Sequence, residues 1–126
     1  MEDLGKWINN IDSEALFAAM ADDVVVEQVS GGIRIEGKDA VAALFTGYAD
    51  QTQEERIEII RWSVDGSTIW AERVDHYLID GRWHKIPIMG FIELNDDQKV
   101  ILMRDYYDPG LALRPVEHPG IHITPR

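Results

Sequence analysis

The chain contains no cysteine, which removes disulfides, thiolate nucleophiles and cysteine metal ligands together. It is short of positive charge: 12 Lys and Arg stand against 23 Asp and Glu, a net charge of −11. Nucleic acid and anionic membrane surfaces, which both need basic side chains, are therefore not expected as partners. No apolar run approaches the roughly 20 residues of a membrane span. The opening "MEDLGKWINN" lacks the basic and apolar regions of a signal peptide. A cytoplasmic location is the expectation.

What is present is one domain's worth of sequence. The 126 residues are 45% apolar, enough for a single core spanning residues 1–126. Helical spacing appears in Leu4, Trp7, Ile8 and Ile11. It recurs in Ala15, Leu16, Ala19 and Met20 after the capping candidates Asp12 and Ser13, and again in Val41, Leu44, Phe45 and Tyr48. The β-branched "DVVVEQV" at 23–29 reads as a short strand, and "SGG" at 30–32 reads as a loop. Four longer strands follow at about 57–64, 68–79, 83–94 and 99–107, joined by the turn formers "DGS", "DG" and "NDDQ". After Pro109 three more prolines predict an irregular tail over about 109–126. The order predicts an α+β fold: a curved antiparallel sheet wrapped by about three N-terminal helices, cone-shaped with an internal pocket.

Turn chemistry also predicts register. A two-residue Asp80-Gly81 loop sets Tyr77 opposite His84, Asp75 opposite Ile86 and Arg73 opposite Ile88. A symmetric "NDDQ" loop sets Leu94 opposite Lys99, Ile88 opposite Asp105 and Ile86 opposite Tyr107. Opposed residues share a face, so Arg73, Asp75 and Asp105 converge among Ile86, Ile88, Met103, Tyr77 and Tyr107. Taken alone, an Arg-x-Asp pair on a strand reads first as a structural or surface ion pair. Two acids sharing one arginine in apolar surroundings also suit general acid–base work, because repulsion and burial can leave one of them protonated. His118 and His122 have i, i+4 spacing, but Pro119 and Gly120 between them break a helix, so no metal site is expected.

"ERVD" at 72–75, "IPIMGFIEL" at 86–94 and "RDYYD" at 104–108 resemble the limonene-1,2-epoxide hydrolase family. That family falls within the superfamily of nuclear transport factor 2, SnoaL-type cyclases and ketosteroid isomerase. The likeness runs from "LFAAMADDVVVE" through "GKDAV" to "RDYYD". It implies a cofactor-independent epoxide hydrolase acting in one step on a small or medium apolar epoxide to give a diol. Asp105 would deprotonate water, Asp75 would protonate the epoxide oxygen, and Arg73 would bridge both. Tyr48, Tyr77, Ile86, Ile88, Met103 and Tyr107 would line the substrate pocket. The resemblance also implies a homodimer. One element departs: the family's water-holding Tyr-x-Asn pair is absent from "VVVEQVSGG". Gln28 and Glu27 are the alternative candidates for positioning the water. The departure keeps open an isomerase or cyclase acting on a polyketide or steroid-like substrate, or a non-catalytic ligand-binding module.

Overall fold

Tight turns set most of the sheet. Asp80 and Gly81 both take positive φ (52° and 74°), the pairing a two-residue hairpin needs, and Gly66 (φ 60°) serves the preceding turn. In the computed structural model, which describes residues 13–110 and the pair 115–116, the chain begins with helix α1 (Ser13–Ala18), strand β1 (Met20–Gln28) and a 3-10 turn (Val29–Gly31). Strand β2 (Ile33–Glu36) and helix α2 (Lys38–Gln51) follow. The meander is β3 (Glu54–Asp65), β4 (Thr68–Ile79), β5 (Arg82–Leu94) and β6 (Val100–Tyr107), with β7 (Pro115–Val116) after it.

The strands form one curved sheet in the order β2-β1-β6-β5-β4-β3, and β7 pairs with β5. The expectation of an antiparallel sheet needs correction, because β1 runs parallel to β6. The early hairpin β1–β2 docks beside the last strand of the meander and brings Val26 level with Met103. Bulges in the β3–β4 and β5–β6 pairs add local twist and bend. The core fills one end of the concave face, where Met20, Val24, Val26, Ile69, Ile92 and Val100 pack with Leu16 and Val41 from the helices.

The helical expectation holds in part. The helix predicted around Leu4–Ile11 lies outside the described residues. The second ends at Ala18, and Met20 belongs to β1 instead, where Ala19 O accepts from Val100 N at 2.8 Å. The β-branched run that follows it favours extended backbone. The third is α2, with Val41 fully buried and Phe45 edge-on to Phe17 at 6.3 Å. Strand β2 was hidden by the glycines: Gly32 (φ 70°) closes the 3-10 turn and releases the alternating Ile33-Arg34-Ile35-Glu36. In the expected irregular tail, Pro115–Val116 pairs with β5, and His118 and His122 lie outside the described residues. Among the described residues, no helix is long and apolar enough to cross a membrane.

Candidate active site

The β4–β5 register is the expected one: Arg73 faces Ile88, Asp75 faces Ile86 and Tyr77 faces His84. The β5–β6 register differs by two residues. Asn95 Oδ1 accepts from the backbone N–H of Asp97 and Lys99, both at 3.0 Å, and Asn95 N donates to Lys99 O. That takes Lys99 into the loop and sets Leu94 opposite Val100; a bulge at Ile101 adds the second step, since Glu93 then pairs with Leu102. Asp105 therefore faces Gly90, not Ile88, and Tyr107 faces Ile88, not Ile86. Beyond the bulge the slip is even, which preserves the face of each side chain from Leu102 to Tyr107. The acids and the arginine stay together.

Arg73 lies between the two carboxylates. Its Nε donates to Asp75 Oδ1 at 2.9 Å, with Nη2 3.4 Å from Asp75 Oδ2. Its Nη1 and Nη2 donate to Asp105 Oδ1 and Oδ2 at 3.0 and 2.8 Å, a bidentate fork. Tyr77 OH adds a donor to Asp75 Oδ2 at 3.1 Å. The side chains of Arg73, Asp75 and Asp105 are only 13%, 7% and 7% exposed, so none of these charges is solvated as a surface ion would be. Burial opposes the guanidinium charge. The charges and hydrogen bonds of Asp75 and Asp105 outweigh it and hold the Arg73 pKa well above its usual value. Burial, then the charges of Asp75 and Glu55, raise the Tyr77 phenol far above the ordinary tyrosine range, and only Arg73 pulls the other way.

The parallel β1–β6 pairing places Gln28 level with Asp105 and Glu27 level with Arg104. Gln28 therefore shares the face of Asp105, and its Oε1 accepts from Tyr48 OH at 3.2 Å and Tyr107 OH at 3.0 Å. Burial raises the Tyr107 pKa, helped by the nearby Tyr48 and Asp105. Glu27 goes the other way: its Oε1 accepts from Arg104 at 3.0 Å and Arg34 at 3.3 Å on the opposite face. Of the two water-positioning candidates, only Gln28 is brought to the acids.

A cavity of about 600 Å³ opens over these residues, and Tyr48, Tyr77, Ile86, Ile88, Met103 and Tyr107 all line it. Ile57 and Ile59 from β3 and Phe45 from α2 complete its apolar wall. The signal for the two isoleucines is the alternation of "ERIEI" at 55–59, which puts both on one face of the strand. Gly90 also lines the cavity; glycine in a strand carries little sequence signal.

A curved α+β sheet with its site on the concave face defines the class, the nuclear-transport-factor-2-like fold. A hypothetical protein with a ketosteroid isomerase-like fold from Catenulispora acidiphila aligns over 83% of this chain and 82% of its own at 16% identity, with a TM-score of 0.70. A putative SnoaL-like polyketide cyclase from Jannaschia aligns over 75% and 71% at 15% identity and TM-score 0.65. At such identities the likeness speaks for the fold alone. A Mycobacterium tuberculosis epoxide hydrolase described as limonene-1,2-epoxide-hydrolase-like is 30% identical over 83% of this chain and 77% of that one, with a TM-score of 0.68. The model of the limonene-1,2-epoxide hydrolase catalytic domain matches residues 2–114, and the chain belongs to that family. No curated protein matches the sequence.

Proposed function

We propose that the protein is a cofactor-independent epoxide hydrolase converting a small or medium apolar epoxide to a vicinal diol. The observation that carries this reading is the double engagement of Arg73 with Asp75 and Asp105 beside a largely apolar cavity. Asp105 takes one proton from water as the water oxygen attacks an epoxide carbon. Asp75, acting in its acid form, gives its proton to the oxygen as the C–O bond breaks. The proton gained by Asp105 equals the one lost by Asp75, so the pair resets by internal transfer or exchange with solvent. Arg73 keeps both carboxylates oriented throughout, and Tyr77 receives the Asp75 anion. Gln28 is the proposed water holder: with two phenols donating to its oxygen, its amide N–H groups are left to donate to the water. In a cavity of this chemistry, proximity and acid–base catalysis supply the rate. Asp105→Asn should cut diol formation by at least ~10³-fold while the protein remains folded. An Asp105→Asn variant retaining wild-type turnover would contradict the assignment.

The missing Tyr-x-Asn pair supports a second reading, isomerisation or cyclisation of a polyketide or steroid-like substrate with Asp105 as base. Here a panel of epoxides would give no diol, while a ketone substrate would exchange its α-proton. For the assembled state we propose a homodimer packed through the outer sheet face, where Trp70, Met89 and Tyr106 are exposed. Sedimentation of a monomer at micromolar concentration would exclude it. A cytoplasmic, single-domain protein with an enclosed pocket fits the same reading.

A further inference from the structure

Gly90 sits in the middle of β5, flanked on its own face by Ile88 and Ile92 and paired with Ala71 and Asp105. Glycine in a strand interior weakens the strand, so its presence calls for a reason. Backbone conformation is not that reason: Gly90 is absent from the positive-φ glycines, which are Gly32, Gly37, Gly66 and Gly81. Space is. A Cβ built on Gly90 would overlap Asp105 Oδ1 and would stand 2.8 Å from Arg104 O and 3.2 Å from Asp105 Cγ. Gly32, Gly37, Gly47, Gly66 and Gly81 would meet nothing within 4 Å, and at Gly31 the nearest atom would be 3.4 Å away.

We infer that Gly90 is a positioning residue for the acid–base pair: its missing side chain lets the Asp105 carboxylate lie across β5 to reach Arg73. Arg73 and Asp105 stand on strands separated by β5, with backbones roughly 10 Å apart. The ion pair must bridge that gap close to the sheet, and Asp105 Oδ1, the atom that accepts from Arg73 Nη1, occupies the place a Cβ would take. Any larger residue displaces either the carboxylate or the Arg104-Asp105 backbone that carries it. Neither neighbour can yield without moving Asp105, since one is main chain and the other is the acid itself.

The inference rests on the hydrolase reading for its kinetic consequence and on geometry alone for its structural one. In Gly90→Ala we expect kcat for diol formation to fall about 100-fold, the cost of a misplacement near 1 Å. KM should change less than about threefold, because the apolar side chains that bind substrate, Ile57, Ile86, Ile88 and Met103 among them, are kept. Independently of turnover, the ¹⁵N–¹H signals of the Arg73 guanidinium should shift and exchange faster with water in Gly90→Ala. If the single variant folds poorly, the stability cycle of Gly90→Ala with Asp105→Ala supplies the readout: the two losses should fall short of additivity, because removing the carboxylate removes part of the clash. Wild-type kcat with unshifted Arg73 signals, or strict additivity in the cycle, would overturn the role of Gly90. A wild-type protein that forms no diol would instead sink the hydrolase reading, and the Arg73 signals would still decide for or against Gly90.

Discussion

Replacing Arg73 by Met should separate a functional charge cluster from a decorative one. The substitution keeps an unbranched stem but removes the guanidinium and with it every hydrogen bond to the two acids. It leaves Asp75 and Asp105, each with a side chain 7% exposed, without their shared cation. Removing one partner of a buried ion pair costs about 3–5 kcal/mol, against about 0–1 kcal/mol at a surface. With a urea m-value of about 2 kcal/mol/M, the unfolding midpoint should drop by roughly 2 M. The companion variant Arg73→Met/Asp75→Leu/Asp105→Leu removes all three charges together and should recover most of the loss, because apolar replacement of a whole buried cluster is often neutral or stabilising by about 1–4 kcal/mol. That triple variant should fold and be inactive. Urea titration followed by tryptophan fluorescence measures both. A shift below about 1 kcal/mol for Arg73→Met would refute the claim that the cluster is desolvated.

Three other outcomes follow from the same site. Tyr107→Phe loosens the Gln28 amide and should lower kcat by about 2- to 10-fold, the worth of one neutral hydrogen bond. Gln28→Leu removes the donor itself and should cost more, with steady-state kinetics on one epoxide giving both ratios. The Tyr77 and Tyr107 phenols, both raised in pKa, bind their protons more tightly in the folded state than in the unfolded one. Their contribution to stability is complete below pH about 10, the ordinary tyrosine value, and is lost as pH rises above it. Melting temperature should therefore fall as pH rises beyond about 10, and Tyr77→Phe with Tyr107→Phe should flatten that fall.

The face carrying the site was legible because two facts are strong in sequence. A two-residue Asp-Gly turn fixes register, and strand alternation fixes sidedness. Arg73, Asp75 and Ile86 consequently stand where the turn placed them. Asp105 reaches the expected face by a route the turn alone does not predict. The Asn95-capped turn and the bulge at Ile101 each moved the register by one, and their sum was even. A single bulge would have turned Asp105 outward. The parallel docking of β1 on β6 was not legible, since nothing local in "VVVEQ" states which strand it will join. That docking is what separates Gln28 from Glu27. Gly90 was silent for the opposite reason: its role is to leave space empty, and only the packed structure shows what fills that space.

The account stands most directly on where the oxygen comes from. Enzyme in molar excess over a single epoxide, in ¹⁸O-labelled water, gives one turnover per substrate molecule. Direct attack by water activated at Asp105 predicts a diol carrying the label after the first turnover, with no label in any carboxylate of the protein. An unlabelled first-turnover diol, with ¹⁸O appearing in Asp105 or Asp75, would mean that a carboxylate attacked the epoxide and would contradict the mechanism.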